Sequence, residues 1–416
     1  MTALQLLTYI VGALLLQLAA GIGVVIWRRH GLQAAAPVGL VEEASVPSTA
    51  AWIGWREFRV ARRAFEDHSQ TQCSFYLEPV DGSTLAPFLP GQFLTFSLNV
   101  VDSAAPQTGF SRSITRCYSL SDRPDPKHYR VTIKRVPAPP DHPNVSAGAS
   151  SNHFHDHVQQ GDVLKVKAPA GHFFVDPDAD VPAVLIAGGI GITPMMSMLR
   201  WCLAEQPART VHLFYGVRNG GEHAFKEMLE QFAAEHPSFH LNVVYSRPKG
   251  GDLAGRDYQH AGRVDVDLLR RTLPHGRHQF YVCGPPALME SLVPALAEWG
   301  VPRRDLYFEA FGPASVRLPS DKTNDAAASP VEPIEVRFSR SGRTLAWDGQ
   351  DANLLDFAER HGVSVESGCR SGGCGTCETK LVSGAVHYAS APDHDVAPGR
   401  CLLCVGKPSS RLVLEA

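Results

Sequence analysis

The sequence predicts a multidomain chain of four parts in series: an N-terminal transmembrane helix, a small antiparallel β-barrel, an α/β doubly wound sheet and a compact α+β unit at the C-terminus. Three observations predict it. Residues 1–27 carry no charged side chain. Near Val181 the pattern changes from short strands separated by turns to apolar strands each followed by a helix. Five of the nine cysteines crowd into the last fifty residues.

At 416 residues the chain has room for about two to four domains. Its formal charge of -3 leaves no basic surplus of the kind a nucleic-acid partner demands. Nine cysteines in such a length are too few for a disulfide scaffold, and their local crowding points to metal or redox chemistry.

A helix over 4–27 would rise roughly 36 Å, enough to cross a hydrocarbon core of about 30 Å. A cleavable signal peptide ending near Ala34, Ala35 and Ala36 is the competing reading. The length of the run, the lack of a preceding basic residue and the Arg28, Arg29 and His30 that follow it favour an anchor. Those basic residues also place the following chain on the cytoplasmic side. The sequence therefore leads us to expect a single-pass protein of the inner or plasma membrane with cytoplasmic catalytic domains.

Linkers rich in Ala, Pro and Ser at 31–54 and 313–330 separate the anchor at 1–30 from units at 55–178, 179–312 and 331–416. In the first unit the Pro90-Gly91 turn precedes a strand at 93–98, alternating Tyr129, Val131 and Ile133 mark another, and 163–166 a third. In the second, strands at 184–187, 211–215 and 279–283 are followed by helices at 195–203, 225–232 and 287–299. The third has a strand at 334–338, a helix at 354–361 and a cysteine-bearing loop.

Cys369, Cys374 and Cys377 form a C-x4-C-x2-C run, and Cys404 follows at a distance. This is the plant-type [2Fe–2S] spacing. Two irons need four thiolates, and their negative charge needs backbone N–H groups aimed inward; Ser371, Gly372, Gly373 and Gly375 let the loop curl so that these amides face the sulfurs. A structural zinc site is the alternative, because Cys401 and Cys404 also make a C-x2-C, although zinc usually takes paired knuckles. Cys404 is preferred as fourth ligand because Cys404-Val405-x-x-Pro408 resembles the corresponding segment of plant-type ferredoxins.

Gly188, Gly189 and Gly191 lie at a strand-to-helix junction, with Thr193 expected as the helix N-cap and Pro194 as its first residue. Cys283, Gly284 and Pro285 close a second apolar strand and open a second helix. Two such loops at strand carboxyl ends make a dinucleotide crevice, and hence a site for NAD(P)H.

With these motifs in place, residues from about Trp55 to the end resemble the ferredoxin–NADP reductase superfamily, in the arrangement of phthalate-dioxygenase-reductase-like proteins with a C-terminal ferredoxin domain. The resemblance implies a flavin domain in the barrel, a nucleotide domain in the doubly wound sheet and a β-grasp fold for the last unit. Arg116-Cys117-Tyr118-Ser119 matches the family's R-x-Y-S motif. It implies that Arg116 pairs with the flavin pyrophosphate, Tyr118 lines the ring and Ser119 bonds N5, with Ile133 and Lys134 on the next strand of the same site. Gly148 and Ser151 resemble the segment that wraps the pyrophosphate, which favours FAD over the FMN of phthalate-dioxygenase-type reductases.

Thr193 is implied to lie beside the nicotinamide and Cys283 to border its reacting carbon. Glu309 takes the acidic position near the flavin edge, with a strand-end salt bridge as its alternative role. His153, His155, Asp156 and His157 fall where the family opens the helix behind the flavin phosphates, rather than where a metal binds. Ser246 and Arg247, with Arg256 and Tyr258, resemble the spacing that holds a 2′-phosphate, but Ser-Arg-Pro turns also occur in NADH-using relatives and the preferred nucleotide stays open.

The implied reaction is hydride transfer from NAD(P)H to the flavin and single-electron release to the cluster, with Ser119, Thr193, Cys283 and Glu309 at the reacting centre. The electron acceptor is expected to be a separate, membrane-associated protein such as an oxygenase, desaturase or haem protein. The rivals are a self-contained reductase of a small molecule, such as a quinone or nitro compound, and a membrane redox sensor.

Overall fold

The structure is a computed structural model that describes residues 52, 54–101, 111–138, 147–311, 333–370, 372–389, 392, 394 and 396–416. The expected anchor at 1–30, the linker at 313–330 and most of that at 31–54 lie outside these residues. Among the described residues no helix is long and apolar enough to cross a membrane. The two longest have 14 and 13 residues; at 1.5 Å per residue the longer rises about 21 Å, short of a core about 30 Å thick. The expected single-pass membrane placement with cytoplasmic catalytic domains is therefore corrected: no described element carries it.

Six antiparallel strands form the first sheet: β1 Arg56–Phe65, β2 Gln72–Pro79, β3 Phe93–Val101, β4 Ser111–Ser119, β5 Tyr129–Lys134 and β6 Val163–Ala170, in the order β4-β3-β6-β1-β2-β5. Alternation turns Phe58, Val60, Phe75, Leu77, Leu94, Phe96, Val131 and Ile133 into one core. The two edges meet at a Leu120–Val131 bridge and at Ser121 N–H, which donates to Arg130 O at 2.8 Å, so the sheet closes on itself. Helix α1, Ala149–Asp156, covers this core with Phe154, whose ring stands edge-on to Phe75 at 5.1 Å and Phe96 at 5.4 Å. Trp52, in the stretch expected to be linker, packs on Phe58 at 5.4 Å and donates from Nε1 to Val166 O at 3.1 Å.

The second sheet is wholly parallel. It contains β7 Ala183–Gly188, β8 Val211–Val217, β9 Phe239–Tyr245, β10 His260–Ala261, β11 Gln279–Gly284 and β12 Leu306–Ala310, in the order β10-β9-β8-β7-β11-β12. Every residue of β7 is buried, as a central strand covered on both faces requires. Helices α2 (Ile192–Glu205) and α3 (Lys226–Glu235) pack in the core of one face, and α4 (Val266–Thr272) and α5 (Pro286–Glu298) in that of the other. The chain runs from β7 outward to β10 and then returns to β11 on the other side of β7. That reversal opens a crevice at the carboxyl ends of β7 and β11.

The start of α2 differs from the sequence expectation. Gly191 is its N-cap and Ile192 its first residue, so Thr193 and Pro194 are second and third. A 3₁₀ turn at Gly189–Gly191 already bends the chain into helical geometry, and Thr193 Oγ1 donates to Ile190 O at 3.1 Å instead of capping. Pro194 is tolerated there because first-turn N–H groups lack intrahelical partners.

The last unit is a mixed five-stranded sheet of β13 Ile334–Phe338, β14 Arg343–Trp347, β15 Glu378–Ser383, β17 Arg400–Leu402 and β19 Leu412–Leu414, in the order β14-β13-β19-β15-β17, beside the pair β16 Val386–Tyr388 and β18 Gly406–Pro408. Helix α6, Leu354–Arg360, starts at Asn353, whose side chain accepts from Asp356 N–H, and buries Leu354, Leu355, Phe357 and Ala358.

Candidate functional site

A cavity of about 530 Å³ opens where the three units meet, a size suited to a cofactor. One wall comes from the barrel: Arg116, Tyr118 and Ser119 of β4, Ile133 and Lys134 of β5, and Gly148, Ser150 and Ser151 at the start of α1. A second comes from the carboxyl edge of the parallel sheet, with Ile190, Thr193 and Glu309. A third is the cysteine-bearing loop, through Ser367, Gly368, Cys369 and Arg370.

On the barrel wall, Tyr118 OH and Ser150 Oγ are 2.7 Å apart, and burial pushes the Tyr118 phenol up to about 12. Arg116 Nη1 donates to Thr115 O at 2.7 Å and to Ser367 O at 3.3 Å; its other guanidinium nitrogens have no partner among the described residues. The N-cap of α1 is Gly148, with no side-chain cap, and no acidic residue lies in the first turn. Free N–H groups at a helix start, beside an arginine, suit a pyrophosphate. A Cβ at Gly148 would come within 2.6 Å of Ser151 Oγ and 3.0 Å of Val136 Cβ. Lys134, expected at the flavin, lines the cavity but directs Nζ to Glu222 at 2.7 Å. His155 Nε2 lies 2.9 Å from Ile133 O and is buried, which lowers its pKa, so it ties α1 to β5.

On the sheet wall, the loop after β7 abuts the end of β11: a Cβ at Gly191 would meet Cys283 O at 2.2 Å and Gly284 N at 2.8 Å. Gly188 is close as well, to Pro285 Cδ and Leu288 Cδ2, both at 2.8 Å. Cys283 pairs with Glu309 across β11 and β12, and burial holds its thiol well above the usual range. Glu309 opens on the cavity, yet protein encloses its carboxyl, and Oε2 is buried without a hydrogen-bond partner among the described residues. Burial foremost, and then the neighbouring Cys369 sulfur, push this carboxyl up to about 8, with the Ser119 hydroxyl opposing. A buried carboxyl with one unpartnered oxygen beside the cavity fits a polar ring edge.

Ser246 and Arg247 stand exposed just beyond β9, two strands away from β7. The backbone N–H of Arg247 donates to Arg218 O at 2.7 Å. Arg256 Nε and Nη2 donate to the two carboxylate oxygens of Asp257 at 3.2 and 2.8 Å. Tyr258 stacks on Tyr245 at 4.7 Å.

The cysteine sulfurs lie side by side, with Cys404 next to both Cys369 and Cys377. Cys369 N–H donates to Cys374 Sγ at 3.2 Å, and Cys374 and Gly373 N–H both donate to Cys369 Sγ at 3.3 Å. Cys404 N–H donates to Cys377 Sγ at 3.4 Å. Among the described residues no three His, Cys, Asp or Glu side chains are grouped to hold a single ion, whereas adjacent thiols lined by amides suit a two-iron cluster. Positive φ at Arg370 (57°), Gly372 (83°) and Gly375 (73°) curls the loop. Cys401 is buried with a raised pKa.

Residues 185–293 match the family model of the oxidoreductase NAD-binding domain, and residues 336–409 that of the 2Fe-2S iron-sulfur cluster binding domain. The flavohem-like FAD/NAD binding domain of nitric oxide dioxygenase from Vibrio cholerae O1 biovar El Tor is 30% identical with a TM-score of 0.53, over 62% of this chain and 100% of that one. A phthalate dioxygenase reductase is 27% identical with a TM-score of 0.50, over 87% of this chain and 98% of that one. This chain belongs to the ferredoxin–NADP reductase superfamily. It is an oxidoreductase of the ferredoxin-reductase type with a C-terminal ferredoxin-type domain, and its cofactors are FAD, NAD(P)H and a [2Fe–2S] cluster. A flavohemoprotein of Halalkalibacterium halodurans is 38% identical over 264 residues, and this reductase spans 61% of that relative's length.

Sequence reasoning missed Ser150, which holds the Tyr118 hydroxyl, and Glu222, which claims Lys134. It also missed Lys167, which reaches Cys374 O at 3.0 Å. None of the three stands in a recognisable motif; only the fold brings Ser150 to the cavity and Glu222 and Lys167 to residues around it.

Proposed function

We propose that this reductase carries electrons from NAD(P)H to a separate acceptor protein of the oxygenase or haem class. One observation carries the reading: Ser119 from the barrel, Glu309 from the parallel sheet and Cys369 from the cysteine loop line a single cavity. Such a meeting point suits a donor of two electrons on one side and a one-electron exit on the other. When bound, the flavin accepts electrons in pairs and gives them up singly, and the cluster carries one at a time.

The chain's residues supply the setting. Gly188, Gly189 and Gly191 let backbone approach a pyrophosphate, and Pro285 at the opening of α5 leaves N–H groups free on the other side of the crevice. Thr193 and Cys283 stand on either side of the switch point, where a nicotinamide ring would be oriented. Ser119 offers a hydroxyl toward the ring edge, and Glu309 holds a proton there. Arg116, Gly148 and Ser151 bind the flavin's phosphates, while Tyr118, fixed by Ser150, lines its ring. Cys369, Cys374, Cys377 and Cys404 bind the irons.

The reductases of this family that match over most of their length include one described as a modular structure for electron transfer from pyridine nucleotides to [2Fe-2S], which supports this order of transfer. The test is anaerobic mixing of purified protein with NADH and with NADPH, followed at the flavin and cluster bands, and then mixing of the reduced protein with cytochrome c or with a quinone. Flavin bleaching followed by cluster bleaching and rapid reduction of the haem protein is expected. Bleaching that stops at the flavin, or reduction of the quinone alone, would overturn the reading.

A further inference from the structure

A row of side chains crosses the barrel on the side of the cysteine loop. Cys117 on β4 is opposite Thr95 on β3, and Thr95 is opposite Lys167 on β6. Directly opposed residues on neighbouring strands share a face, so the three side chains stand together outside the barrel core. The Thr95 hydroxyl lies 3.4 Å from the Cys117 thiol, and Thr95 is only 1% exposed although it faces outward, because this face is covered. Two members of the row meet the loop: Lys167 Nζ donates to the backbone carbonyl of Cys374 at 3.0 Å, and Cys117 lines the same cavity as Cys369.

Lys167 is well placed for such a role. Its ammonium sits 5.2 Å above the Trp55 ring, which limits its freedom. It forms no ion pair with a carboxylate among the described residues, so its charge is directed at the loop. That loop carries cysteine ligands and their negative charge, the surroundings in which an unpaired cation is most favourable.

We propose that Lys167 and Cys117 are positioning residues that clamp the cluster-binding loop onto the barrel at the mouth of the flavin cavity, and so set the rate at which electrons cross between the two cofactors. The inference rests on the electron path proposed above. Neither residue takes part in the redox chemistry; they hold one wall of the cavity against another. Removing a charge-assisted hydrogen bond of this kind shifts a docking equilibrium by about tenfold or more.

The experiment uses full-length holoprotein carrying Lys167→Met, Lys167→Arg or Cys117→Ala. Each is mixed anaerobically with the preferred nucleotide, and the backbone hydrogen exchange of residues 367–377 is measured without nucleotide. Lys167→Met is expected to keep the wild-type rate of flavin bleaching and the wild-type electron paramagnetic resonance signal of the reduced cluster. Its cluster reduction slows about tenfold or more and its loop exchanges faster; Lys167→Arg restores both. Cys117→Ala, which leaves Lys167 in place, slows cluster reduction to a smaller degree and provides the test if Lys167→Met does not fold. Wild-type cluster-reduction rates and wild-type exchange in both Lys167→Met and Cys117→Ala would overturn the clamp alone. A wild-type protein whose cluster is never reduced after its flavin would remove the electron path and the clamp together.

Discussion

Gly191→Ala tests whether the contact between the two crevice loops sets the nucleotide site. Gly191 has an ordinary helical backbone, φ −59° and ψ −6°, so alanine costs nothing in backbone strain and the effect is steric alone. The new Cβ would lie 2.2 Å from Cys283 O, 2.5 Å from Cys283 C and 2.8 Å from Gly284 N. All three are backbone atoms of a fully buried strand end and cannot swing aside as a side chain would. The loop must therefore move away from β11 by roughly an ångström, at an overpacking cost of about 1–3 kcal/mol. If that displacement is borne by the crevice, the dissociation constant for NAD(P)H rises about 5- to 150-fold. The assay is anaerobic flavin bleaching as a function of nucleotide concentration, with the melting temperature measured in parallel. Flavin retention should be normal, since the barrel wall is untouched. Gly250→Ala is the control, because a Cβ there meets nothing within 4 Å. A Gly191→Ala protein with unchanged nucleotide affinity refutes the reasoning, and a lowered melting temperature beside that unchanged affinity shows that the loop contact stabilises the fold without shaping the site.

Two further outcomes are expected. Burial raises the Glu309 carboxyl from the ordinary 4.5 to about 8, so between those values it is protonated in the folded chain and ionised in the unfolded one, and stability falls as pH rises through that window. Glu309→Gln removes this slope: the melting temperature of the variant relative to wild type should climb between pH 4.5 and 8 and then level off, and a difference independent of pH would sink the assignment. At the cluster, Cys404→Ala should lose the visible sulfur-to-iron absorption and Cys401→Ala should keep it, since Cys404 N–H bonds the Cys377 sulfur while Cys401 lies on β17 with its side chain in the core; the reverse pattern would reassign the fourth ligand.

How much of this could be read from the sequence depended on how local each determinant is. The three cysteines of the loop and the glycines after β7 act through neighbours a few residues away, and their spacing carries the chemistry. The change from turns to strand–helix alternation near Val181 located the parallel sheet because its central strands β7 and β11 are buried on both faces and read as apolar runs. The start of α2 was misjudged for a local reason too: the Thr-Pro pair looks like a cap and first residue, but the 3₁₀ turn before it begins the helix two residues earlier. Lys134 and Arg256 illustrate the opposite limit. Each is a cation in a plausible place, yet one is taken by Glu222, 88 residues away, and the other by its own neighbour Asp257. Nothing in a one-dimensional pattern says which carboxylate claims a cation. The Cys117–Thr95–Lys167 row is harder still, since it depends on the register of three strands and on a loop 207 residues beyond Lys167.

The convergence on one cavity follows from chain direction. Parallel strands all end at one edge, so the loops after β7 and β11 and the end of β12 collect there without further instruction. Strand β4 ends at Ser119, which brings the flavin motif to the same place. These two walls are built from strand ends, and neighbours hold Tyr118, through Ser150, and Thr193, through Ile190 O, while Cys283 and Glu309 are set opposite each other by the strand register. Sites carried on strands and helices keep their geometry better than sites carried on loops. The cysteine wall is different in kind, because it is a loop and meets the barrel through the side chains of Arg116 and Lys167, with Cys117 beside it in the cavity. No single substitution on the first two walls should separate them, whereas one or two on the barrel's outer row should loosen the third. The geometry most exposed to mutation is therefore the crossing from flavin to cluster, and not the hydride site.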